Sequence, residues 1–230
     1  MGKRKTCEEI KRKIESEKES HMSEKIRRII MSIIGVAVTG IAVSFLRKAG
    51  LGTDPFTGAV IGLGNVAGLK YAVMYPIVIG ILLVLVFFVD KHYLGIATIF
   101  NLVIIGPVAD AGLKALDALY EADTVPKMLL TFAAAILILC FSASLYITAD
   151  LGVSSYDAIS LIMADKGVAK YRICRIATDV VCVVIGFLFN RPGVGVGTVV
   201  TALVMGPLTQ WFIDHVAEPL RYGKSGRPEA

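Results

Sequence analysis

The stretch Leu51-Gly52-Thr53-Asp54-Pro55-Phe56-Thr57 returns in outline as Leu151-Gly152-Val153-Ser154-Ser155-Tyr156-Asp157. The spacing is 100 residues, and other matches keep it without a gap. Lys70-Tyr71 matches Lys170-Tyr171, Gly95 and Thr98 match Gly195 and Thr198, and Gly106-Pro107 matches Gly206-Pro207. Across 41–110 against 141–210 only 12 of 70 positions are identical. They cluster at Gly, Pro and helix boundaries, where backbone geometry restricts the choice of residue. The pattern reads as an internal structural repeat.

Between these markers the chain is apolar. Hydrophobic residues make up 55% and charged residues 19%, against about 25% charged in soluble domains; the mean hydropathy is +0.69. Charge-free runs occupy 29–46, 71–89, 92–109, 128–149 and 192–213, each long enough to cross a bilayer. A sixth run, 176–190, is interrupted only by Asp179. None shows the strict alternation of a barrel strand. The expected fold is an all-α polytopic membrane protein with six transmembrane helices. Each repeat contributes three spans and one short helix that does not span, at 53–68 and 153–168; the second copy carries Asp157, Asp165 and Lys166. Three crossings is an odd number, so the halves are expected to lie in opposite orientations, as two inverted three-helix repeats. The organisation is a polar extension over 1–22, a first repeat over 23–120, a second over 121–218 and a tail over 219–230.

Ten of the 24 Lys and Arg residues lie in 1–28. With the N-terminus inside, 18 basic residues face the cytoplasm and six face outward; leaving out the first 21 residues, the ratio is still 11 to 6. The positive-inside rule then gives a multi-pass protein of the bacterial inner membrane with both termini cytoplasmic. The basic surplus, net charge +5 and pI ≈ 9.0, is a cytoplasmic-flank signal and not a nucleic-acid footprint. Residues 1–28 are too polar for a signal peptide. Ser20-His21-Met22 resembles a cloning junction, so the extension is either native or introduced. Residues 7–18 are expected to form a solvated helix.

Candidate site residues follow from the repeat. Asp54 suits an N-cap and Pro55 the first helical position, so a short helix is expected to start there; Ser154 is expected to cap its counterpart. If these helices dip into the bilayer, their N-terminal amides offer an anion or dipole site; otherwise they are capped interfacial connectors. Thr98 and Asn101 share a helix face, as do Thr198 and Thr201. Pro107 and Pro207 each free a carbonyl one turn earlier. A pocket between the repeats is therefore expected, polar but not strongly charged, with Asp54, Thr57, Thr98, Asn101, Ser154, Ser155, Asp157, Thr198 and Thr201 as substrate-binding residues. Asp179 is an acid inside a span, with Arg175 four residues earlier as its partner; the pair serves either coupling or structure. Cys7, Cys140, Cys174 and Cys182 have no metal-ligand spacing. No catalytic set, cofactor motif or metal site is visible, so no enzyme is expected.

The paired Lys-Ala-Gly-Leu-Gly-Thr-Asp-Pro-Phe and Ala-Asp-Leu-Gly-Val-Ser-Ser-Tyr-Asp segments, with the later Gly-x-x-Thr and Gly-Pro segments, resemble the YitT/YczE family of bacterial membrane proteins over about residues 23–218. Members typically show Leu-Gly-x-(Ser/Asp)-Pro-Trp-Asp after the first span. Here Asp54-Pro55-Phe56-Thr57 keeps the Pro without the Trp and Asp, while Tyr156-Asp157 keeps an aromatic-Asp pair without the Pro. The resemblance implies membrane transport by association. The first reading is a small secondary transporter, an exporter being one option, for a small polar or cationic solute. Its partners would be the lipid bilayer and that solute, with no nucleic acid; a homo-oligomer is compatible. The rivals are a substrate-capture subunit of an energy-coupled importer and a membrane scaffold or regulator of a partner.

Overall fold

A computed structural model describes residues 2–121, 123–189 and 194–222, with side chains from Glu24 onward. Every regular element among the described residues is helical. The order is α1 (Gly2–Ala49), α2 (Pro55–Ala67), α3 (Tyr71–Val89), α4 (Ile96–Leu119), α5 (Val125–Ala149), α6 (Ser155–Asp165), α7 (Tyr171–Phe189), α8 (Val196–Phe212) and α9 (Glu218–Tyr222); a π-helical turn, Ile213–Ala217, joins the last two. Five segments are long and apolar enough to cross a membrane: Glu24–Ala49 of α1, then α3, α4, α5, and α8 with its extension to Tyr222. The chain reads as a multi-pass membrane protein. The sixth expected span, α7, has 19 residues, but it carries Arg172, Arg175 and Asp179 and falls outside that set.

Several boundaries differ from the apolar runs. α1 continues unbroken from Gly2, so the expected separate helix over 7–18 is part of it. α4 begins only at Ile96, after a 3₁₀ turn at Lys91–Tyr93, and runs on to Leu119. Its last turns hold charge because α1 supplies partners: Arg47 pairs with Asp110 at 2.5 Å and Lys48 with Asp117 at 2.7 Å. α7 starts at Tyr171, five residues before the uncharged run, because Arg175 turns inward.

α1 and α5, counterparts in the repeat, form the centre: 56% of each span is buried, against 17% for α3. They approach closely where Gly35 leaves room for the Ser142 carbonyl and Tyr146, and Thr39 Oγ1 donates to Ser142 Oγ at 2.9 Å. Small residues allow such approach in lipid, where apolar surface alone gives helices no reason to associate. α4 flanks α1 as α8 flanks α5. α2 crosses to pack mainly on α7 of the other half, whereas α6 lies between α7 of its own half and α3 of the other. Outward faces such as Ile81, Phe88, Leu130 and Val196 are exposed and apolar, the surface a bilayer covers.

The exchange is fixed at two crossovers. Gly197 N–H donates to the Leu51 carbonyl at 2.9 Å, and Ala97 N–H donates to the Leu151 carbonyl at 3.1 Å. Each Leu-Gly loop thus satisfies amides at the start of the last long helix of the other half. Gly52 and Gly152 hold φ of 105° and 103°, which a side chain rarely adopts. Gly195 and Gly95 press on those loops so closely that a Cβ would overlap the Leu51 and Leu151 carbonyl oxygens.

Two alanine substitutions test the crossover. Gly195→Ala is expected to lower the melting temperature in detergent, by about 2 kcal/mol or more in stability, because backbone must shift. Gly80→Ala in α3, with nothing within 4 Å of the new methyl, is expected to be neutral or stabilising by about 0.5–1 kcal/mol.

Candidate functional site

A cavity of about 60 Å³ lies between the halves. Its walls come in pairs 100 residues apart: Asp54 and Ser154, Phe56 and Tyr156, Thr57 and Asp157, Tyr75 and Arg175, Ile105 and Met205. The first three pairs are the N-terminal ends of α2 and α6, brought there by the crossovers.

The second half supplies a charged triad. Arg175 is buried and donates to Asp157, with its Nε 3.6 Å from Asp179 Oδ1. Tyr146 donates to the other oxygen of Asp157, and Tyr156 donates to Asp179. The guanidinium lies 4.6 Å over the Tyr156 ring, and Tyr156 stacks on Phe56 with centroids 4.4 Å apart and an interplanar angle of 19°. A buried arginine held by two carboxylates and an aromatic face has little freedom to move.

The first half is mostly neutral. Tyr75 donates to Asn101 Oδ1 at 2.7 Å. Asp54 caps α2 as the sequence predicts: its Oδ2 accepts from Thr57 N–H at 3.0 Å, with Pro55 opening the helix. The anion site expected at this helix start is therefore filled from within the chain. Asp54 Oδ1 and the Tyr71 hydroxyl are buried without a hydrogen bond of ordinary geometry, the Thr57 side chain lying beside both, and both residues line the cavity.

Of the residues singled out from sequence, Asp54, Thr57, Asn101, Ser154, Asp157 and Arg175 line the cavity. Asp179 stands behind Tyr156. Thr98, Thr198, Thr201 and Ser155 are buried but do not line it. Thr98 accepts from Gly95 N–H at 3.1 Å and donates to the Val153 carbonyl at 2.8 Å. Thr198 accepts from Gly195 N–H at 3.3 Å. Both lie three residues into a helix and serve its start, a capping-box role. Thr201 donates to the carbonyls of Gly197 and Thr198, as polar groups do when helix backbone is their nearest acceptor. Ser154 sits at the N-cap of α6, but its side chain makes no capping hydrogen bond. The expectation of a weakly charged pocket needs correction: Arg175 is in its wall, not in a solvated flank. Sequence reasoning missed Phe56, Tyr71, Tyr75, Tyr146 and Tyr156. Apolar surroundings masked Phe56 and the hydroxyls of the four tyrosines, though Tyr71 is itself one of the repeated positions.

Two larger hollows flank the cavity, at opposite ends of α1. At the Arg47 end, one of about 470 Å³ is lined by Ile61, Asn65, Tyr71, Asp110 and Lys114 among others. At the Arg28 end, one of about 570 Å³ is lined by their counterparts Leu161, Asp165, Tyr171, Gln210 and Asp214. Tyr71 lines both the central cavity and the Arg47-end hollow. Arg47, Lys70 and Lys114 outnumber Asp110 and Asp117 at that end, whereas Asp150, Asp165, Asp214 and Glu218 line the other together with Arg221. Arg28 and Arg221 both pair with Asp150 and donate to the last carbonyls of α5, which closes the Arg28 end of the bundle. Beside that hollow, Tyr93 donates to Asp165; burial and the carboxylate push its phenol above the ordinary tyrosine range.

Among the described residues no group of three His, Cys, Asp or Glu is placed to hold a metal ion. Cys140, Cys174 and Cys182 are buried free thiols; the side chain of Cys7 lies outside the described residues.

A family model matches residues 26–214, and the chain belongs to that family, a family of unknown function (DUF6198). The chain is 23% identical over 186 residues to the uncharacterized protein YyaS of Bacillus subtilis (strain 168), covering 80% of this chain and 90% of that protein. It is 24% identical over 192 residues to an uncharacterized protein of Haemophilus influenzae, covering 83% and 85%. No solved structure matches.

The triad makes a stability prediction. Arg175→Met leaves two buried carboxylates uncompensated and is expected to cost about 3 kcal/mol or more. Adding Asp157→Asn should recover part of that loss in thermal unfolding, a coupling that two independent sites would not show.

Proposed function

We propose that this member of the DUF6198 family is a small secondary transporter of the bacterial inner membrane. It carries a small polar or cationic solute through the cavity between two inverted repeats. One observation carries the reading: counterpart residues line hollows at opposite ends of α1, with a cavity lined by both halves between them. A two-fold relation in the membrane plane produces that arrangement, and alternating access needs it.

On this reading α7 is the sixth span. Its charges are compatible with lipid depth because Arg175 and Asp179 are buried and paired. The Lys and Arg distribution favours both termini in the cytoplasm, which makes the Arg28 end cytoplasmic. Kinship with the YitT/YczE proteins rests on the Leu-Gly and Gly-Pro motifs and is part of the proposal. A capture subunit or scaffold would have no use for two matched hollows.

Uptake or efflux by the purified protein alone in liposomes tests the reading; binding without any movement would favour a capture subunit. Reporter fusions after residues 68 and 120 should read extracytoplasmic, and those after 91, 165 and 225 cytoplasmic. Asn101→Leu removes the acceptor of the Tyr75 hydroxyl and is expected to slow transport severalfold, with expression near that of the parent protein.

A further inference from the structure

The central cavity has more carboxylate than cation. Asp54 and Asp157 line it, Asp179 stands behind it, and Arg175 is the sole positive side chain in its wall. Asp157 and Asp179 are engaged with Arg175 and with tyrosine hydroxyls. Asp54 is different. It is 7% exposed, one oxygen is spent on the α2 cap, and the other has no hydrogen bond of ordinary geometry. A carboxylate oxygen removed from water without a donor is unfavourable by several kcal/mol. The Tyr71 hydroxyl, also on the cavity wall and beside the Thr57 side chain, offers another acceptor.

Resting on the reading of this cavity as a solute site, we propose that Asp54 is the counter-ion for a small organic monocation, such as a guanidinium or an alkylammonium. The volume sets the size. At about 10–15 Å³ per water, 60 Å³ accommodates roughly four to six non-hydrogen atoms. The walls set the chemistry. Phe56, Tyr71, Tyr75 and Tyr156 give an aromatic lining suited to a weakly hydrated cation. Two free oxygens fall well short of the six to eight that calcium collects. A cation bearing several N–H groups can donate to Asp54 Oδ1 and to the Tyr71 oxygen, whose own O–H is left to the Thr57 side chain beside it.

The test uses the full chain purified in neutral detergent, read by thermal shift and calorimetry with guanidinium chloride and methylammonium chloride at millimolar concentration. Urea serves as the neutral planar counterpart of guanidinium, and sodium chloride as the ionic-strength control. The expected result is a rise of several degrees with at least one organic cation and none with urea or sodium chloride. Asp54→Asn keeps an N-cap acceptor, so it should fold and bind at least tenfold more weakly. Tyr71→Phe should weaken binding severalfold and provides a second variant if Asp54→Asn does not fold. Equal shifts with sodium chloride or urea, unchanged binding in the Asp54→Asn or Tyr71→Phe protein, or no shift with either organic cation would each overturn the proposal. Cation binding without liposome transport would sink only the transport reading; transport of a neutral solute without cation binding would sink only this one.

Discussion

The architecture depends on two carbonyl oxygens. Leu51 and Leu151 each end a long helix's turn-out and accept from amides that open the last long helix of the opposite half. A helix start has four amides without intrahelical partners, and within a bilayer water does not supply acceptors. Meeting that need from the other half ties the halves by backbone, independent of side chains. It also demands glycine on both sides of the contact, which is why Gly52, Gly95, Gly152 and Gly195 are fixed by sterics. Once the loops are held there, α2 and α6 can only begin at the centre and run outward to opposite ends.

The repeat therefore divides into two kinds of position. Those that build the crossovers are identical in both copies: Leu-Gly, then Gly and Thr three residues apart. Most of those that line the cavity diverge: Asp54 corresponds to Ser154, Thr57 to Asp157 and Tyr75 to Arg175. A shared scaffold is compatible with unlike walls because backbone contacts carry the symmetry. The second half places an arginine between two carboxylates; the first places a tyrosine on an asparagine. The cavity is polarised as a result, with the Arg175 ion pairs on one side and the Asp54 carboxylate on the other.

Much of this was legible in the sequence, and the failures have physical causes. Hydropathy gave the long helices because lipid-facing surface must be apolar whatever the tertiary contacts. The matched Leu-Gly and Gly-x-x-Thr positions were legible because glycine has few substitutes at a close approach. The Asp54 cap followed from local chemistry alone. Thr98 and Thr198 were assigned to the cavity because helical phase says which face a residue occupies, not which donor reaches it first; their spacing from Gly95 and Gly195 is that of a capping box, and the helix amide claims the hydroxyl. Arg175 was read as the partner of Asp179 but not as cavity lining, because an uncharged run begins at the next residue; a paired guanidinium can reach the cavity from such a helix. The tyrosines read as apolar filling, and only the fold reveals that four of them end on the cavity.

If the protein transports a cation as proposed, the unequal charge of the two hollows has a kinetic meaning. Acidic side chains crowd the Arg28-end mouth, and basic ones prevail at the other. In a recess with low-dielectric walls such fields are focused and poorly screened. A monovalent cation would be concentrated at the first mouth and repelled at the second, so capture rates from the two sides would differ even at equal concentration. Detailed balance forbids this from setting the direction of net flow, which belongs to the gradients. The asymmetry would appear instead in the half-saturation constants measured from the two faces, and it would shrink as salt is added.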